Sequence, residues 1–236
     1  MRILITNDDG INAPGIKKLV QIAKNFGEVI VIAPDGQRSA SSHQSTFGAP
    51  LTLKEYDFGI DDVKAYSLSG TPADCVRVGV LKIVDPKPDI VLSGINNGFN
   101  IASDIQYSGT VGAALEAAFY GIQAIAVSVC NMDGLSLVDK YLPDLLKTYI
   151  DKPLAKDQIW NINFPDCTID ECKGILHDQI VSKDDFYHDD ITVSKNEDGS
   201  MTLTEVAKRA WNATEGTDLY AIINNYICVG PVNNIC

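Results

Sequence analysis

The sequence predicts an α/β fold: a Rossmann-like, doubly wound, mostly parallel sheet with a C-terminal extension or arm. Three observations carry that expectation. Ile3-Leu4-Ile5 and Val29-Ile30-Val31-Ile32-Ala33 are short continuous apolar runs, the kind buried on both faces of a parallel sheet. Between them Ile16, Leu19, Val20, Ile22 and Ala23 recur with helical spacing, so the chain opens as strand, helix, strand. The alternation returns with Ile90-Val91-Leu92-Ser93 and Ile125-Ala126-Val127-Ser128-Val129.

The first run stops at Thr6-Asn7-Asp8-Asp9-Gly10, which reads as a buried strand ending in a turn. Asn12-Ala13-Pro14-Gly15 is a loop, and Phe26-Gly27 closes the first helix. The second strand empties into the polar stretch Pro34 to His43. Pro50 to Leu53 and Val63 to Leu68 read as shorter strands, a hairpin flanking the sheet, with Asp57-Phe58-Gly59 in its turn. Thr71 is a good N-cap and Pro72 suits the first helical position, so a helix runs from there through Val76, Val80 and Leu81. The strand at Ile90 opens into a loop of amides, hydroxyls and glycines. Tyr107-Ser108-Gly109-Thr110 then starts a helix of small residues, Val111 to Ala118. Tyr141 to Ile150 reads as a helix and Ile159 to Pro165 as a strand. Residues 182–200 are polar and charged, and alternation resumes at Met201 to Val206. Residues 1–236 read as a single domain, with about 170–236 as an extension used in oligomerisation.

Composition narrows the function classes. Hydrophobic residues make up 45% of the 236, enough for a sizeable core. A formal net charge of -12 argues against a nucleic-acid duplex or an anionic membrane as partner. It is compatible with a small anionic substrate held by a metal. No run approaches the ~20 apolar residues of a membrane span, and the N-terminus lacks the basic start of a signal peptide. A cytoplasmic location is expected. The six cysteines are scattered without a C-x-x-C, as reduced thiols would be.

The chemistry gathers at the ends of three strands. Ligands of open α/β sheets bind beyond the carboxyl ends of the strands. Two adjacent carboxylates placed there, Asp8 and Asp9, repel each other and lose hydration, which a cation between them relieves. One acid would serve as a helix cap; a pair exceeds that need. The 34–43 and 93–110 loops add hydroxyl and amide oxygens, hard donors that suit Mg²⁺, Mn²⁺ or Ca²⁺ rather than zinc. The three histidines, His43, His177 and His188, lack metal-ligand spacing. Ser108, Gly109 and Thr110, opening a helix, present free backbone N–H groups and the positive end of its dipole, and with Asn7 they make a candidate phosphate seat. A divalent ion beside a phosphate seat points to metal-assisted phosphoester hydrolysis, with Asp8 and Asp9 as the catalytic pair. A receiver domain would need an acceptor Asp after the third strand, but Asp57 sits in a turn. A haloacid-dehalogenase-type phosphatase needs acids at i and i+2. A dinucleotide-binding oxidoreductase needs Gly-x-Gly-x-x-Gly in the first turn.

NDDGINAPGI, APDGQRSASSHQST, SGTPADCV, SGINNGFN and SDIQYSGTVGAALEA, in that order over roughly residues 1–130, resemble the SurE (survival protein E) nucleotidase family. The resemblance implies a cytosolic, metal-dependent 5′-nucleotidase that hydrolyses nucleoside 5′- and 3′-monophosphates and, in some members, short-chain polyphosphate. It implies one divalent metal on Asp8, Asp9, Ser39 and Asn96, and a homodimer or homotetramer built through the C-terminal arm. The other reading is a nucleotide- or phosphate-binding sensor without turnover. Two departures stand out: Ala102 replaces a usual Gly, and Asn225 to Val232 differs from the family's usual C-terminal motif.

Overall fold

A computed structural model describes residues 1–130, 132 and 135–234. Its elements are β1 (Arg2–Thr6), α1 (Pro14–Ala23), β2 (Glu28–Pro34), β3 (Leu53–Glu55), β4 (Lys64–Leu68), α2 (Pro72–Val78), β5 (Ile90–Asn97), α3 (Gly109–Phe119), β6 (Gln123–Val129), α4 (Leu135–Tyr149), β7 (Gln158–Phe164), β8 (Ile175–Leu176), β9 (Tyr187–Lys195), β10 (Met201–Arg209), α5 (Asp218–Ile223) and β11 (Ile227–Asn233). Among the described residues nine strands form one sheet in the order β3-β4-β2-β1-β5-β6-β7-β11-β8, and β9 and β10 pair separately. Strands β4 through β7 of that order are all parallel.

Strand alternation sends side chains to both faces. Ile3 and Ile5 of β1 join a core with α1 and α4, through Ile16, Leu19, Leu142 and Leu146. Leu4 between them joins the opposite core with α2 and α3, through Val76, Val111 and Ala114. This two-sided burial explains why the strands read as unbroken apolar runs. The chain winds β1, β2, β4 in one direction and β5, β6, β7 in the other. The reversal therefore falls between β1 and β5.

The expected hairpin flanks the sheet, but its first strand is Leu53–Glu55 rather than 50–53. Helix α4 begins at Leu135, earlier than the expected Tyr141, and runs through Pro143. Its apolar face, with Leu137, Val138, Leu142 and Leu145 all buried, holds it across the missing N–H. The larger difference lies in the C-terminal part. Ile227–Asn233 is a strand of the main sheet, antiparallel to β7, so the segment standing off the sheet is the β9–β10 hairpin rather than all of 170–236. Gly230-Pro231 disguises this strand. A Cβ on Gly230 would lie 1.9 Å from the Gln179 carbonyl oxygen, and Pro231 falls beyond Ile227 and Cys228, the two residues paired to β8. Five described cysteines are free thiols; Cys236 lies outside the described residues.

Ala102 is buried with φ 52°, in the left-handed region that Gly adopts more readily than Ala. Its N–H donates to the buried Asp218 carboxylate at 2.9 Å, which holds the backbone in place. Ala102→Gly should relieve that strain and raise stability by about 0.5–1 kcal/mol, read by denaturant titration.

Candidate active site

The crevice at the β1/β5 reversal is where open α/β sheets bind ligands. Asp8 lies two residues beyond the end of β1 and is buried, 4% exposed. The Thr110 hydroxyl donates to its Oδ1 at 2.6 Å. The α3 start approaches so closely that a Cβ on Gly109 would lie 2.6 Å from Ser41 Oγ and 3.0 Å from Asp8 Cβ. Gly10, at φ +92°, makes the turn behind the pair. Asp9 is held differently: the Asn97 N–H donates to its carboxylate at 3.1 Å.

Ser39 arrives on a long loop without regular structure, fixed at several points. The Arg38 N–H donates to the Asp8 carbonyl at 2.7 Å. Ser42 donates through its N–H to Tyr107 O at 3.0 Å and through its hydroxyl to Gln106 O at 2.6 Å. His43 Nε2 lies 2.7 Å from Glu116 on α3. Thr46 donates twice to Asp74, which closes a capping box with Thr71 at the start of α2. The Ser39 hydroxyl itself accepts only from Gln37, at 2.9 Å, among the described hydrogen bonds.

Asn96 is turned out by a shift in the β5–β6 register between Ser93 and Asn96. Its Nδ2 donates to Gly98 O at 2.9 Å, leaving the amide oxygen as its remaining acceptor. Behind it lies a network that sequence reasoning missed. Asn100 donates from its N–H to Asn163 and from Nδ2 to Ser128, while Asn161 and Asn163 both donate to the Asn100 carbonyl. The visible signal was two asparagines in the otherwise apolar strand Ile159 to Phe164.

Asp8, Ser39, Asn96 and Ser108 line one cleft of about 870 Å³, with β9 and β10 forming its far wall. The seat residues fare unevenly. The Ser108 hydroxyl caps α3 by accepting from the Val111 N–H at 3.0 Å. Thr110 is occupied by Asp8. Asn7 is fully buried, its amide donates to Gly10 O at 3.0 Å, and its Oδ1 has no partner.

Burial pushes the Asp8 carboxyl from 3.8 up to about 6; the Thr110 hydrogen bond pulls it back and the Asp9 charge pushes further. Burial raises Asp9 as well, opposed by the Asn97 N–H. Among the described residues no three His, Cys, Asp or Glu side chains are placed to hold a metal ion together, so a cation here would rest on two carboxylates and neutral oxygens. The donors fit a hard divalent ion: a buried acid held at cost, its charged neighbour, and Ser41 Oγ, buried without a partner beside Asp8.

Fold and cleft define a doubly wound α/β protein with hard oxygen donors gathered at the switch point of its sheet. The chain matches the family described as "Survival protein SurE" over residues 3–185, and it belongs to that family. A relative from Clostridium botulinum named 5′-nucleotidase SurE is 39% identical over 237 residues, covering 99% of this chain and 93% of the relative. Another of that name, from Aeromonas hydrophila, is 35% identical and covers 98% and 92%. The crystal structure of the SurE protein from Aquifex aeolicus superposes with a TM-score of 0.85 at 35% identity, covering 99% of this chain and 93% of that one. No helix among the described residues is long and apolar enough to cross a membrane.

In the metal-free protein Asp8 binds its proton more tightly folded than unfolded. Its contribution to stability is therefore full below pH 3.8 and is lost as pH rises through about 6. Relative to Asp8→Asn, which does not titrate, metal-free wild type should lose about 3 kcal/mol across that window. Paired denaturant titrations in EDTA read the difference.

Proposed function

We propose that the chain is a divalent-metal-dependent phosphomonoesterase that hydrolyses nucleoside 5′-monophosphates to nucleoside and phosphate. The observation that supports this most is the burial of Asp8 against the start of α3 in a cleft shared with Ser39 and Asn96. Asp8, Asp9, Ser39 and Asn96 would hold the ion, Mg²⁺, Mn²⁺ or Ca²⁺. When bound, it supplies polarisation of the phosphoryl group and a more acidic water.

The remaining work falls to the chain. Asp8 and Asp9 concentrate negative charge at one point, fixed by Thr110 and by the Asn97 N–H. The α3 start, eleven residues from Gly109 to Phe119, sets the positive end of its dipole against the same spot. Gly109 allows the backbone to come that close. Ser108, Gly109 and Thr110 then form the phosphate seat through backbone N–H groups more than through hydroxyls, since both hydroxyls are engaged. Asn7 acts from behind, through the Gly10 turn. Hydrolysis of 3′-monophosphates and of short-chain polyphosphate extends this reading on family grounds. So does a homodimer or homotetramer through the C-terminal region, where Ile191, Val193, Met201 and Leu203 stand exposed on the hairpin.

Phosphate release from a panel of nucleoside monophosphates should appear with Mg²⁺ or Mn²⁺ and vanish in EDTA. Tight nucleotide binding with no release under either ion would mark a sensor instead. Gly109→Ala should raise KM about tenfold or more, because the new methyl displaces the α3 start from Asp8. An unchanged KM in the folded variant would remove the helix start from the seat.

A further inference from the structure

The loop that carries Ser39 lies along α3, and the helix turns a bare face to it. Gly109, Gly112 and Glu116 are spaced by three and then four residues, so they share that face. A Cβ on Gly112 would lie 2.3 Å from the Ser42 carbonyl oxygen and 2.9 Å from His43 Cα, so the loop backbone rests directly on the helix. Gly109 meets Ser41 in the same way. One turn beyond Gly112 the face ends in Glu116, which is buried. His43 is the one side chain that meets its carboxylate among the described hydrogen bonds. A carboxylate only accepts, so His43 Nε2 carries the hydrogen of that 2.7 Å contact.

The loop does not hold this path unaided. Ala40 and Ser42 stand at φ 56° and 53°, in the left-handed region that residues other than glycine keep only where their surroundings fix them. Ser39 is exposed and lies in a short span between two anchors: the Arg38 N–H on the Asp8 carbonyl and the Ser42 N–H on the Tyr107 carbonyl. The first anchor belongs to the Asp8–Asp9 turn. The second is the end that rests on α3, and His43 makes its one side-chain hydrogen bond to the body of that helix among the described residues. Releasing His43 would strand a buried acid, so the pairing pins the loop firmly. It would also free the strained backbone to relax, and Ser39 would move with it.

We infer that the His43–Glu116 contact is a latch: a positioning pair that holds Ser39 against the Asp8–Asp9 turn and thereby sets how tightly the site takes a divalent ion. This rests on the reading that the ion sits on Asp8, Asp9, Ser39 and Asn96. Neither His43 nor Glu116 lines the cleft, so both act through the loop.

The test uses the full-length protein and three variants. His43→Leu/Glu116→Met removes the latch without stranding a buried charge, and the metal-free Tm reads what that exchange costs the fold. His43→Gln keeps an N–H donor at the same reach. Gly112→Ala leaves the pair in place and pushes the loop off the helix with a methyl group. Calorimetric titration with Mn²⁺ should give a dissociation constant about tenfold weaker in the double variant and in Gly112→Ala, and within about threefold of wild type in His43→Gln, the scale of losing an outer support at a metal site. In the metal-free protein, amide hydrogen exchange at Arg38 and Ser42 should quicken in the double variant and return toward wild type in His43→Gln. A merely structural pair would lower Tm and leave the Mn²⁺ constant of the folded protein where it was. That result overturns the proposal, as do Arg38 and Ser42 amides no less protected in the double variant, or a His43→Gln protein that behaves like the double variant. The hydrolase reading fails separately: Mn²⁺ binding that depends on the latch, in a protein that releases no phosphate from any nucleotide, would sink that reading and leave the latch standing.

Discussion

The site depends on one contact: the carboxylate of Asp8 held by the hydroxyl of Thr110 at the start of α3. It joins the end of the first strand to a helix that follows the fifth, across the point where the sheet reverses direction. A carboxylate buried there would ordinarily give up its charge or find a partner. The helix start supplies part of that partnership through the Thr110 bond and the local dipole. What it leaves unmet is what the proposed cation would supply. Core packing, the Gly109 approach and the hinge of Gly10 all bring the two groups to the same place.

Around that contact the supports differ in kind. Behind Asn96 the asparagine network of positions 100, 161 and 163 ties three neighbouring strand ends together in the buried interior. On the opposite side Ser39 depends on a loop with no regular structure. In front, the hairpin contributes only a wall and stands largely in solvent. The cleft therefore has a rigid floor built by the sheet and a wall built by a two-stranded ribbon with few contacts beneath it.

Much of this was legible in the sequence because two-sided burial writes itself as unbroken apolar runs. Ile3-Leu4-Ile5 and Val29 to Ala33 gave their strands away, and Asp8-Asp9 after the first run announced charge at a strand end. The capping pattern Thr71-Pro72 located α2. What was not legible depended on partners distant in sequence. Gly230 and Pro231 spoke against a sheet strand until Gln179 and the short reach of β8 explained them. Asn7 read as part of the phosphate seat with Ser108, Gly109 and Thr110; that its side chain is buried and its amide donates to Gly10 O could be seen only in the folded turn. Asn161 and Asn163 were visible, yet their use required Asn100, some sixty residues away. The cleft face of the hairpin could be read only once the register fixed which residues alternate inward.

The anchoring of the Ser39 loop has a consequence for ligand capture. Joined to Tyr107 and Gln106 at Ser42, to Glu116 at His43 and to Asp74 at Thr46, the segment has surrendered its conformational freedom during folding. Ordering a free loop around a ligand draws on the binding free energy itself. Here that entropy is spent before any ligand arrives, so the Ser39 hydroxyl waits preorganised, and association draws on the loop for almost no further ordering.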